Sequence, residues 1–218
     1  IQCWGGLVPT YAHSTDYSFT MAKEFESLNP ATGEVVGTFP INSEREVYAA
    51  VTLATDAAFR WEAVGHKGRR KILLAYSRLI LSEIDSLADL VTLETGKPHS
   101  DAKLEISLAA HHVAWAARNA ESVLRTAHRS SGALMANMSA TVERSPLGVV
   151  GVIGPWNYPV FTPMGSIAYA LAAGNTVVFK PSEYTPAVAI WLEATLREVH
   201  PEHELLIVIP GLPDAGKF

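Results

Sequence analysis

The chain has 218 residues, 48% hydrophobic and 18% charged, a balance ordinary for a protein that buries the core of one or two domains. Its formal charge of −5 argues against a nucleic-acid partner, which asks for a basic face. A single cysteine, Cys3, rules out an intrachain disulfide framework or a cysteine-rich zinc site and suits a reducing, cytoplasmic setting; no run reaches the roughly 18 apolar residues of a membrane span.

Residues 1–20 carry no lysine or arginine, hence no n-region of a secretory signal, and Met21-Ala22-Lys23 resembles a natural start. An extension outside the fold is expected there. Asn29-Pro30-Ala31-Thr32-Gly33-Glu34 is turn chemistry, and Val35 to Phe39 reads as a short edge strand. Ser43 and Glu46 form a capping box, after which Val47, Ala50, Val51, Ala54, Ala58 and Trp61 recur at helical spacing. A second helix is predicted after Gly68, with Ile72, Leu73, Tyr76, Leu79, Ile80 and Ile84 inward. Arg69, Arg70 and Lys71 near its start oppose the macrodipole and read as a solvated face.

Leu87, Leu90, Val91 and Leu93 mark a short third helix, ended by Gly96 and Pro98. Ser100 and Asp101 open a long helix whose inner face is Ile106, Ala109, Ala110, Val113, Ala114 and Ala117, small enough for close packing. Ser130-Ser131-Gly132 breaks the pattern, and Ala140 to Arg144 reads as extended. Gly148 to Ile153 is a β-branched apolar run too brief for a helix, stopped by Gly154 and Pro155, with Trp156-Asn157-Tyr158-Pro159 as a loop at its carboxyl end. Thr162 and Pro163 are expected to cap the next helix, which runs through Ile167, Ala168, Leu171 and Ala172 to a C-terminal Gly174.

Asn175 to Phe179 is a second strand, followed by Lys180-Pro181-Ser182-Glu183. Thr185 and Pro186 cap a helix bearing Val188, Ile190, Trp191, Leu192, Leu196 and Val199; Leu205 to Ile209 is a third strand, and Gly211 to Gly216 should open a further helix. The predicted class is α/β: an incomplete doubly wound (Rossmann-like) parallel sheet preceded by an N-terminal helical region. The expected division is an extension at 1–20, a helical part at 21–130, an extended segment at 131–147 and a partial parallel sheet at 148–218. Ligands bind at the carboxyl ends of strands in such sheets, and both Trp156-Asn157 and Lys180 to Glu183 fall there.

Pro155-Trp156-Asn157-Tyr158-Pro159, followed at its spacing by Gly174-Asn175-Thr176-Val177-Val178-Phe179-Lys180-Pro181-Ser182-Glu183, closely resembles the aldehyde dehydrogenase superfamily. Asn29 to Glu34 and Glu94-Thr95-Gly96-Lys97-Pro98 match it too, though the latter is fully readable as a helix stop. The resemblance covers about residues 24–218 and only the N-terminal half of a family member. It implies oxidation of an aldehyde to a carboxylic acid with NAD(P), through a cysteine thiohemiacetal and a glutamate that activates water. That cysteine and glutamate are expected beyond Phe218. It also implies that 131–147 is a bridging strand, part of an oligomer-forming hairpin, that 148–218 is a partial cofactor-binding sheet, and that the complete protein is a homo-oligomer; the residues of 131–147 alone read equally as an ordinary connecting strand.

Asn157 read alone is a turn residue bonding its own backbone. By the resemblance it becomes the donor to a developing alkoxide, a role typically worth about 3–4 kcal/mol. The cofactor-binding positions the resemblance implies are Ile153, Pro155, Trp156, Lys180, Ser182, Glu183, Gly211 and Gly216. Lys180 and Glu183 can meet ribose hydroxyls, and a carboxylate repels a 2′-phosphate, which favours NAD over NADP. Read without the family, the two make a surface ion pair worth about 0–1 kcal/mol. Tyr158, Val160 and Phe161 suggest an apolar tunnel wall for the aldehyde.

Gly148, Gly151 and Gly154 have the wrong spacing for a pyrophosphate loop. Gly211 to Phe218 nearly spells a P-loop, but Phe218 stands where a hydroxyl would ligand magnesium. His111-His112 and His200-Pro201-Glu202-His203 lack a ligand set and read as ordinary histidines. Two functions follow: the N-terminal cofactor-binding portion of an aldehyde dehydrogenase, or an inactive NAD-binding or subunit-interaction module.

Overall fold

The computed structural model describes residues 23–135 and 137–218, so Cys3 and the extension expected at 1–20 lie outside the described residues. The chain opens with an antiparallel hairpin of β1 (Glu24–Leu28) and β2 (Val35–Pro40). Its turn is the one the sequence prescribes: the Asn29 carbonyl accepts from Gly33 N at 2.8 Å, and Gly33 sits at φ 74°.

Four helices follow: α1 (Glu44–Ala63), α2 (Gly65–Ser82), α3 (Ile84–Thr95) and α4 (His99–Leu124). The Ser43–Glu46 capping box is formed in both directions. Helix α2 starts at Gly65, earlier than the predicted start after Gly68, because Gly65 at φ 70° already breaks α1. Val51 and Leu93, expected inward, are exposed, while Ala57 joins the buried face of α1. The inner face of α4 is as predicted, Ile106 through Ala117. No side-chain cap from Ser100 or Asp101 opens it; Pro98 is its N-cap.

A small antiparallel pair, β3 (Ala127–Arg129) and β4 (Ala140–Val142), leads into β5 (Val149–Ile153), α5 (Phe161–Ala173), β6 (Thr176–Lys180), α6 (Pro186–Val199) and β7 (Leu206–Val208). Strands β5, β6 and β7 form a parallel three-stranded sheet in that order, with Ile153 beside Lys180 and Phe179 beside Val208. The period-2 alternation of β6 divides the core. Val177 and Phe179 pack with α5, α6 and, behind them, α2, α3 and α4. Val178 faces the other way, onto Val47, Ala50 and Ala54 of α1. The α/β class and parallel sheet are therefore present, with both crossover helices on one face and α1 covering the other. Gly211 to Gly216 does not open an α-helix; Pro213–Gly216 is one turn of 3₁₀ helix.

Buried polar groups tie these layers together. Trp61 Nε1 donates to the Leu171 carbonyl at 2.9 Å and Tyr76 OH to the Leu192 carbonyl at 3.0 Å. Asn175 Oδ1 accepts from Leu147 N and Gly148 N while its amide donates to the Ala170 carbonyl. Much of Gly174-Asn175-Thr176 is thus scaffold: Gly174 ends α5 at φ 101°, and Thr176 Oγ1 donates to the Ala54 carbonyl.

Candidate functional site

The carboxyl ends of β5, β6 and β7 converge on Lys180. Its residue is 6% exposed, and Nζ donates to the carbonyls of Pro181 at 2.8 Å and Gly211 at 3.0 Å. An ammonium has three donors, so one is left over among the described residues. Burial lowers the Lys180 pKa, an effect the nearby Glu183 carboxylate opposes. A Cβ on Gly216 would come within 3.1 Å of Lys180 Cδ and 3.9 Å of Ile153 Cδ1, which is why the 3₁₀ turn can lie this close to the strand ends. The structure thus brings Ile153, Lys180, Gly211 and Gly216 together.

Ile153 is 71% exposed at the end of β5, Pro155 is half-buried and Trp156 is exposed beyond it. Ser182 and Glu183 are half-buried, with Ser182 Oγ taking the Tyr184 N–H. Among the described residues Glu183 forms no ion pair with Lys180 within bonding range, so the surface-pair alternative is not what the geometry contains. Asn157 is exposed, and among the described residues its side-chain amide has no hydrogen-bond partner, its own backbone included. That amide is free to serve a ligand.

What holds the Asn157 loop was missed in the sequence. Glu105, 2% exposed on α4, accepts from Val160 N at 2.9 Å and Phe161 N at 3.1 Å, capping α5 from another helix. Lys97 pairs with the other Glu105 oxygen, donates to the Asn157 carbonyl at 2.9 Å and lies 4.1 Å over the Tyr158 ring. Thr162 therefore does not cap α5 as expected; a carboxylate occupies the N-terminus first. Val160, expected in a tunnel wall, is 0% exposed and belongs to the core. Phe161 is half-buried against His112, with ring centroids 5.0 Å apart.

Glu94 does the same for α6. Its oxygens accept from Ala187 N at 3.1 Å, Val188 N at 3.0 Å and Ser27 Oγ at 2.8 Å, while Thr185 makes no side-chain cap. Glu94-Thr95-Gly96-Lys97-Pro98 is thus more than a helix stop. Burial pushes the Glu94 carboxyl up to about 7 despite those three donors, which favour its ionised form. The available signal was a glutamate on each apolar stripe: Glu94 after Leu87 and Val91, Glu105 between Ala102 and Ala109.

Arg69 completes the pattern and corrects its assignment to a solvated face. It is 4% exposed and donates to the carbonyls of Ala172 (3.3 Å), Trp61 (3.4 Å) and Glu62 (3.1 Å), at the carboxyl ends of α5 and α1.

Residues 18–218 match the family described as "Aldehyde dehydrogenase family". The chain is 34% identical over 192 residues to malonate-semialdehyde dehydrogenase 2 of Oceanobacillus iheyensis, covering 88% of this chain and 39% of that protein. It superposes on a solved NAD-dependent aldehyde dehydrogenase from Sinorhizobium meliloti with a TM-score of 0.83 at 33% identity, covering 89% of this chain and 39% of that one. A solved NADP-dependent enzyme of E. coli gives a TM-score of 0.83 at 32% identity, covering 88% of this chain and 40% of that one. The chain spans about 40% of the length of such relatives.

Proposed function

Because the chain belongs to the aldehyde dehydrogenase family, we propose that it forms the adenosine side of an NAD site and supplies one oxyanion donor to an enzyme that oxidises an aldehyde to a carboxylic acid. The observation that carries this reading is the convergence of Ile153, Lys180, Gly211 and Gly216 at three parallel strand ends, with one Lys180 donor unused.

The donor set fits the group. The spare Lys180 N–H and the Glu183 carboxylate suit the two hydroxyls of a ribose, and exposed Ile153 and Trp156 offer apolar surface to a flat base. NAD, when bound, supplies the hydride acceptor. The chain's own part is to bind and orient it, and to hold the Asn157 amide N–H where negative charge develops on the aldehyde oxygen during nucleophilic addition. The Lys97 bond to the Asn157 carbonyl fixes that loop beforehand. Relatives are described with either NAD or NADP; the Glu183 charge favours NAD here, since it repels a 2′-phosphate.

Titrating NAD and NADP into the chain and into E183Q by calorimetry tests this. NAD should bind more tightly than NADP to the chain, and E183Q should narrow the ratio by about tenfold, one charge contact's worth. An unchanged ratio contradicts the role given to Glu183.

A subunit-interaction role is a second reading, favoured by the exposed β3–β4 pair, with Val142 and the neighbouring Leu134 turned to solvent. It predicts self-association in sedimentation that V142K weakens.

A further inference from the structure

The connection from α6 to β7 lies at the opposite end of the sheet from the proposed NAD site, leading into the amino end of β7. It gathers His200, Glu202 and His203, whose ligand atoms all lie within 4.8 Å of one another. The two imidazoles meet edge to face, with centroids 5.3 Å apart at 78°. His200 Nε2 and His203 Nδ1 are both buried, and neither has a hydrogen-bond partner among the described residues.

That pairing is out of keeping with its surroundings. Trp61 Nε1, Asn175 Nδ2 and Lys180 Nζ are buried too, and each donates to a carbonyl. An imidazole nitrogen is a donor or an acceptor, and leaving one buried and unmet is unfavourable. Two on neighbouring rings, beside a carboxylate, is the arrangement a cation satisfies. The backbone is held for it: His200 N donates to the Leu196 carbonyl and Leu205 N to the His203 carbonyl, each at 3.0 Å, and Pro201 restricts the turn between. The Trp61 ring backs His200 at 5.8 Å. Nearby Arg197 is engaged by Glu193 and Glu204.

We propose that His200, Glu202 and His203 bind a first-row divalent cation, zinc foremost, through two imidazole nitrogens and one carboxylate oxygen. Imidazole with a carboxylate suits zinc, whereas magnesium and calcium take oxygen ligands. Three protein ligands leave the fourth tetrahedral position to water. Zinc–ligand bonds of about 2.0–2.2 Å bring tetrahedral ligand atoms to about 3.4 Å apart, so the loop closes by roughly an ångström on binding, within reach of the exposed Glu202 side chain. The ion would pin the α6–β7 connection; it has no part in the NAD site.

The test is titration of Zn²⁺ and Co²⁺ into the metal-free chain, by calorimetry and by the visible absorption of Co²⁺. One equivalent should bind, with a Co²⁺ spectrum of low coordination number. H200Q and H203Q should each weaken it at least about tenfold, and E202Q less, while the H111A/H112A pair leaves it unchanged. Should the His200 variants fail to fold, ¹⁵N imidazole resonances of the unaltered chain give the same answer: zinc must shift those of His200 and His203. The absence of one-equivalent binding, unmoved His200 and His203 resonances, or undiminished affinity in H200Q/H203Q overturns the proposal.

Discussion

The carboxylate of Glu105, on α4, serves one other helix and a loop. It takes the first amides of α5, holds Lys97, and through Lys97 fixes the Asn157 carbonyl. Removing one partner of a buried, hydrogen-bonded pair leaves the other uncompensated. E105A should therefore lower stability by about 3 kcal/mol in urea denaturation, and E105Q, which keeps an acceptor for the α5 amides, by less. An E105A chain as stable as the original would show the cap to be dispensable. Glu94 makes a pH prediction. Its carboxyl lies at about 7 in the fold against an ordinary 4.5, because burial disfavours the charge. The folded state then holds the proton more tightly, so this contribution is full below pH 4.5 and is lost as pH rises through 7. Glu193, also pushed up to about 7 by burial, acts in the same direction. E94Q keeps an acceptor without the titration. Its stability should fall less between those pH values, by on the order of 3 kcal/mol; parallel pH–stability curves would count against the buried carboxyl.

At the scale of elements, the two sheet helices are closed by polar groups borrowed from the helical layer. Glu105 sits at the N-terminus of α5 and Arg69 at its C-terminus, each opposite in sign to the helix end it meets, and the Glu94 carboxyl oxygens accept the first amides of α6. R69M should cost about 3 kcal/mol by leaving carbonyls of Trp61, Glu62 and Ala172 unmet. R69K, with no planar fork, should recover only part of that in the same denaturation series; equal stability of R69M would remove Arg69 from the account. This layer explains what could be read from the sequence. Local rules located the Asn29–Gly33 turn, the Ser43–Glu46 box, the Gly174 helix end and the strands β5 to β7, because each depends on residues within a few positions. For Thr162 and Thr185 the competing caps, Glu105 and Glu94, lie 57 and 91 residues away along the chain, and the Ala172 carbonyl that draws Arg69 inward lies 103 residues away. Of the candidate site, the strand ends and the exposed Asn157 were legible. The Lys97–Glu105 clamp was not, since a helix stop accounts for its motif locally.

The molecule as a whole places a parallel sheet between α1 and a two-deep helical layer, leaving the carboxyl strand ends open to solvent around Ile153 and Trp156. Among the described residues no helix is long and apolar enough to cross a membrane. Family membership extends over residues 18–218, about 40% of the length of its relatives. The central claim is that the open strand ends take the dinucleotide. Amide hydrogen exchange of the chain with and without NAD tests it most directly. The prediction is slowed exchange confined to three segments, 153–157, 180–184 and 211–217, with the far end of the sheet around His200 unchanged. Exchange unaltered by saturating NAD, or protection centred instead on the cleft lined by Glu121, Arg125 and Arg144, would contradict it.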